Sequence, residues 1–270
     1  MFGVIFLETL RQSRRQVLYW SLGMGLLGLI IGGLIPLFNS QQLVDLIQSL
    51  PPIILAMAGI DEQMKILTTT EGILAVAFFT RYSLIFAAYP IIMGMRVTMN
   101  EEDDGIMDVL LSLPVRRWQI IVERFLAYLV TILVIIVFVY IGLILGTTVL
   151  AGASLHLGRI AEALIASIPL LTVLLAFTMF VGTLLRNRRY ALGAAAAFAI
   201  YSYSLATVSN MIQNNTIAQL VGSISVYHYF DVNSIVQQGI RWANMAGLSV
   251  LTLILLAASL WFFQRRDVGL

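Results

Sequence analysis

The 270-residue chain has no cysteine, two histidines and one lysine. Without cysteine there is neither a disulfide scaffold nor a thiolate metal site. The histidines, His156 and His228, are far apart and form no His-Glu-x-x-His pair, which argues against a zinc hydrolase. Charge is equally scarce: Asp, Glu, Lys and Arg make up 11% of the residues, against about a quarter in an ordinary soluble domain. A water-soluble globule needs charged side chains over most of its surface, so a soluble enzyme is a poor fit. The apolar content argues equally against a disordered chain. No Gly-x-x-x-x-Gly-Lys-Ser/Thr is present to cradle ATP phosphates, and no Gly-x-Ser-x-Gly elbow to carry a nucleophile. The long apolar runs also lack the paired carboxylates of a proton relay.

Hydrophobic residues make up 60% of the chain, and they are gathered into runs. A helix needs about 20 apolar residues to cross a bilayer. Six runs qualify, at 17–38, 73–98, 125–150, 163–185, 191–212 and 243–263. They are apolar all round and do not alternate, so helices are expected rather than barrel strands. The expected fold is all-α: one polytopic domain of six transmembrane helices. Residues 1–16 are too short to cross. Phe2, Ile5, Phe6 and Leu10 fall near one helical face and Glu8, Arg11 and Arg15 on another, which predicts an amphipathic elbow helix lying in the interface.

Six spans place both termini on one side, and 12 of the 16 basic residues fall there. The excess of Lys and Arg on the cytoplasmic side makes that side the inside, so both ends are expected to be cytoplasmic. The net charge of +2 is then a topology signal, and nucleic-acid binding is not expected.

Five of the 14 acidic residues sit within 101–108, between the second and third runs. Glu101, Glu102, Asp103 and Asp104 crowd the first turn of a short helix, where negative charge complements the helix dipole. Gly105 follows. Ile106, Val109, Leu110 and Leu113 recur at i, i+3, i+4 and i+7 and form one narrow apolar stripe. Pro114 ends the helix, and Arg116 and Arg117 open the next. Such a helix is either a self-capped loop helix or a docking element for a partner with a basic groove.

On the outer side, Leu43, Leu46, Ile47 and Leu50 predict a short helix along the membrane surface. Segment 213–241 is too apolar for a free loop and is expected to dip into the interface or re-enter the bundle. Within the second run, Tyr82, Phe86, Tyr89 and Met93 share one helical face. Tyr201 and Ser204 share another in the fifth, beside the small residues of 193–197. Each stripe suits either helix packing or the wall of a translocation path. Arg81 and Arg96 lie about 22 Å apart along the second run and are expected to snorkel to opposite interfaces.

With these residues in view, the chain resembles a type-2 ATP-binding-cassette (ABC) transporter permease. Four features carry the resemblance: the amphipathic segment before the first run; the stretch Glu101-Glu-Asp-Asp-Gly-Ile-Met-Asp-Val-Leu-Leu-Ser-Leu-Pro-Val-Arg116; the outer Ser225-Val-Tyr-His-Tyr-Phe230; and the ending Phe263-Gln-Arg-Arg-Asp-Val268. Ile106 stands where the family usually has Thr, and Val268 where it usually has Leu. The resemblance implies a non-catalytic subunit of the bacterial cytoplasmic membrane. It would pair with a second permease, identical or related, and with two copies of a separate ABC ATPase. ATP and Mg would be bound by that partner, and no cofactor by this chain. Residues 101–113 would be the coupling helix seated in the ATPase, and spans 2 and 5 would face each other across the dimer. An ABC assembly that transmits force to the envelope without transport is an alternative, and a stand-alone carrier or channel a more remote one.

Overall fold

The computed structural model describes residues 3–35, 72, 74–98, 117–150, 152, 156–185, 187–211 and 216–265. Among them there is no strand. Helix α1 is Val4–Leu34, and a π-helical turn at Ala75–Phe79 leads into α2, Thr80–Thr98. Helix α3, Arg117–Ile144, ends in a second π-helical stretch, Leu145–Leu150. Helices α4, Leu157–Leu184, and α5, Arg188–Met211, follow, then the short α6, Thr216–Ser223, a 3-10 turn at Val226–Tyr229, α7, Val232–Gln238, and the last helix, α8, Trp242–Arg265.

Among the described residues, five helices are long and apolar enough to cross a bilayer: Val4–Leu34, Trp118–Leu150, Leu157–Leu184, Arg188–Ser209 and Trp242–Arg265. Each contains most of an expected run. The run expected at 73–98 is also helical, but it is not among the five. Arg81, Arg96, Pro90 and its tyrosines dilute its apolar content. Its packing explains why that composition is tolerated, because α2 lies against α4 and α5 and most of its side chains are buried. A helix shielded by its neighbours need not be uniformly apolar.

The N-terminus departs from expectation. Residues 1–16 were expected to form an elbow separate from the first span, yet α1 runs unbroken from Val4 to Leu34. Neither Gly nor Pro occurs between Val4 and Ser21, and the intervening Leu, Arg and Gln are good helix formers, so nothing interrupts the ladder. The face that α1 buries carries Ile5, Thr9, Ser13, Ser21, Gly25, Gly28 and Gly32. Small residues at nearly four-residue spacing let a second backbone approach closely.

That second backbone is α3. The Phe6 N–H donates to Glu123, 117 residues away, and the same separation relates Gly25 to Gly142, Leu29 to Gly146 and Gly33 to Leu150. The two helices are therefore parallel and in register. A Cβ added at Gly142 would overlap the Gly25 carbonyl oxygen, and one at Gly146 would overlap that of Leu29. Four of these glycines form two Gly-x-x-x-Gly repeats, Gly28 with Gly32 and Gly142 with Gly146, a pattern that favours close helix approach in lipid.

The core gathers around α2 and α4. Pro169 lies within α4, most of whose residues are buried. Along the π-helical turn and α2 the rings of Phe78, Tyr82, Phe86 and Tyr89 follow one another at centroid distances of 5.1, 5.2 and 6.1 Å. Trp20 of α1 closes the row edge-on to Tyr89 at 5.6 Å.

Candidate functional site

Two ends of the bundle carry polar chemistry. At the end where α3 begins, two consecutive charged residues are buried, Glu123 at 1% exposure and Arg124 at 6%. The first four N–H groups and last four carbonyls of a helix lack intrahelical partners. Glu123 Oε2 accepts the Phe6 N–H at 3.0 Å, in the first turn of α1, where the positive end of the helix dipole favours a carboxylate. Arg124 Nη1 donates to the Val97 carbonyl at 3.1 Å, in the last turn of α2, where a cation is favoured for the converse reason. The start of α3 thus holds the opening of α1 and the close of α2 with adjacent side chains. Sequence pattern alone gives neither residue a role. Charged residues next to an apolar run were the available signal.

The segment that joins α2 to α3 carries the acidic cluster. Glu101, Glu102, Asp103, Asp104, Gly105, Ile106, Val109, Leu110, Leu113, Pro114 and Arg116 all lie outside the described residues, and so does the outer segment 36–71 with its expected surface helix. Among the described residues, no three His, Asp or Glu side chains come together as a metal site.

At the opposite end, residues 216–238 fold back onto the bundle. Ser225 caps the 3-10 turn by accepting the Tyr227 N–H at 3.1 Å, and its hydroxyl donates to the Ser202 carbonyl of α5 at 2.6 Å. The Ser202 hydroxyl accepts the Val226 N–H at 3.0 Å. Tyr227, buried edge-on to Tyr203, reaches the Ser83 carbonyl at 3.5 Å. Burial, with the Tyr203 ring beside it, raises the Tyr227 phenol above its ordinary range and keeps it protonated. Asp231 accepts from both the N–H and the hydroxyl of Ser234 at the start of α7. Thr80, Ser83, Tyr203, Thr207, Tyr227 and Asp231 help to line a cavity of about 60 Å³ here.

The residues singled out for a translocation path divide into two groups. Tyr82, Phe86, Tyr89 and Met93 are all 0–1% exposed within the single chain. The Tyr89 hydroxyl donates to Thr131 at 2.6 Å. Tyr201 is 65% exposed, and Ser204 is exposed on the same outward face. The face of α5 turned inward carries Ser202, Ala206 and Ser209 instead. Arg81 is exposed in the first turn of α2, and Arg96 is half-buried in the last.

A search of curated proteins finds no match to this chain. A family model described as "ABC-2 family transporter protein" matches residues 5–268, which is nearly the whole chain and takes in every long helix. Members of this family are membrane components, generally non-catalytic, that associate with an ABC ATPase subunit. With its apolar helices in place and the match running from one end to the other, the chain belongs to the ABC-2 transporter permease family and is a multi-pass membrane component of an ABC transporter.

Proposed function

We propose that this chain forms half of a translocation path and couples ATP hydrolysis by a separate ATPase to export of a substrate. The observation that carries this reading is the family match over residues 5–268. In the proposed arrangement α2 is a sixth span, both termini lie in the cytoplasm, and the membrane is the bacterial cytoplasmic membrane. Twelve of the 16 basic residues then fall on the cytoplasmic side, in keeping with the positive-inside rule.

Residues 101–113 act as the coupling helix, their four leading acids meeting a basic cleft of the ATPase. Two ATPase subunits bind ATP and Mg between them, and their closure displaces this helix. The displacement enters the permease at the start of α3, where Glu123 holds α1 and Arg124 holds α2. Both neighbours are held at helix termini, so a rigid shift of α3 moves them together. A second permease, identical or related, completes the path. The Tyr82–Met93 stripe of α2 is enclosed by its own chain, but Ile85 and Ile92 of the same helix are exposed; these and the exposed side of α5, with Tyr201 and Ser204, are the faces turned towards that partner.

The test is co-purification with the ATPase and measurement of coupled ATP hydrolysis after Glu101, Glu102, Asp103 and Asp104 are all replaced by Lys. Reversing four charges at a docking surface is expected to abolish both, with the permease still inserted. Undiminished complex formation and hydrolysis would remove the coupling role from the cluster.

A further inference from the structure

An open groove runs along the flank of the α1–α3 seam. The seam is pinned at one end by the Phe6–Glu123 hydrogen bond and at the other by Gly25 against Gly142. Between these pins the buried Thr9, Ser13 and Ser21 keep the helices in contact, and the larger side chains beside them leave the groove, of about 400 Å³, along the flank. Its walls include Leu18 and Leu22 of α1, 54% and 55% exposed, and Val134 and Phe138 of α3, 38% and 41% exposed. Arg14 is the one charged residue lining it.

The order of polarity along the groove is informative. Arg14 stands one turn in from Leu10, near the end of the groove closer to the N-terminus, flanked on α1 by the exposed Arg11 and Arg15. From Arg14 to Leu22 the α1 wall is apolar apart from the buried Ser21. Those eight residues span about 12 Å of helix, which fits within the roughly 15 Å of hydrocarbon in one leaflet. The glycine crossing then closes the groove before the other leaflet is reached. A cation at headgroup level above an apolar channel one leaflet deep has the polarity and length of a single acyl chain with its phosphate.

We infer that this groove is a binding site for an anionic phospholipid of the leaflet at the N-terminal end of α1. Its phosphate pairs with Arg14, and one acyl chain lies between Leu22 and Phe138. A lipid held there covers exposed apolar surface on both helices and ties the headgroup region to the pinned junction at Glu123. Zwitterionic lipid fills the same channel with less preference, because its headgroup carries no net charge for Arg14 to meet.

Native mass spectrometry tests this on the full chain released from nanodiscs with equal phosphatidylglycerol and phosphatidylcholine. Wild type is expected to retain phosphatidylglycerol preferentially. Arg14→Gln should lower that retention about fivefold, the factor that one basic residue near an anionic headgroup supplies, and leave phosphatidylcholine unchanged. Val134→Trp, which fills the channel, should lower retention of both lipids. Arg14 is exposed, so its replacement leaves the packing intact and carries the test even if the Trp variant folds poorly. Equal retention of the two lipids by wild type overturns the proposal, as does unchanged retention in Arg14→Gln. A change of oligomeric state in Val134→Trp with lipid retention unaltered would assign the groove to a second copy of the chain.

Discussion

Helix pairs α1–α3 and α2–α4 solve the same problem in opposite ways. Where α1 meets α3, backbone lies on backbone: Gly25, Gly28, Gly32, Gly142 and Gly146 remove the side chains from the crossing. Where α2 meets α4, side chains fill most of the space, with a close backbone approach at Gly94, whose added Cβ would meet Thr178 and the Leu175 carbonyl oxygen. Phe78, Tyr82, Phe86 and Met93 are fully enclosed, with Leu170, Leu171 and Leu174 of α4 in the same core. In lipid, burying apolar surface between helices gains little, because hydrocarbon is as apolar as Leu. Close dispersion contact is what remains, and either route supplies it. The routes differ in tolerance. A side-chain interface can repack around a changed residue, whereas a backbone interface has no atoms to move except the helices themselves.

The largest expected effect is therefore at Gly142. Gly142→Ala adds one methyl group, but that group would overlap the Gly25 carbonyl oxygen, which belongs to a rigid helix. Separating the helices forfeits the neighbouring contacts at Gly28 and Gly146 as well. A loss of at least about 3 kcal/mol is expected, at the upper end of overpacking costs, read as a lowered midpoint of denaturant unfolding in detergent. The α1 groove would widen at the same time, because the crossing that closes it would be forced open. An Ala tolerated at Gly142 would mean that the seam is looser than the register implies.

Within the side-chain-packed row of α2, Tyr89→Phe removes the 2.6 Å hydrogen bond to Thr131 of α3 but keeps the ring in place. Hydrogen bonds between membrane helices average about 0.6 kcal/mol, since the unfolded segment also finds partners in the bilayer. A shift of that size is expected in the same unfolding assay. The Thr131 hydroxyl still donates to the Tyr128 carbonyl at 2.7 Å, so no buried donor is orphaned. A cost approaching that of Gly142→Ala would show that the ring row depends on its one polar tie more than on packing.

The same contrast explains what could be read in the chain beforehand. Five long helices fall close to their apolar runs, because length and hydropathy decide whether a segment crosses lipid. Which face of a helix turns inward was less legible. On α5 the inward face carries Ser202 and Ser209 and the outward face Ile200 and Tyr201. A helix in lipid can put polar groups inside and apolar ones outside, so the periodicity that works in water does not single out the buried side. Tyr201 and Ser204, which share a face in the sequence pattern, lie on the outward face of their own helix. The Glu123 and Arg124 contacts were hidden for another reason. Each binds a helix end brought near only by folding, 117 residues away for Glu123 and 27 for Arg124. By contrast, the glycine repeats of α1 and α3 were visible in the chain and needed only to be sought.

The smallest expected effect isolates the role of glycine itself. Gly23 lies on α1 between the glycine crossing and the groove, but it is exposed and has no atom within 4 Å of an added Cβ. At such a site glycine contributes only backbone freedom, which disfavours the helix by roughly 0.5–1 kcal/mol relative to Ala. Gly23→Ala should therefore leave the unfolding midpoint unchanged or raise it by no more than that amount. Gly142→Ala, the same chemical change on the facing helix, should lower it steeply. If Gly23→Ala also destabilised the protein, the outer face of α1 would have to meet a neighbour in the assembled complex. The seam with α3 would then be only one of two backbone contacts that this helix makes.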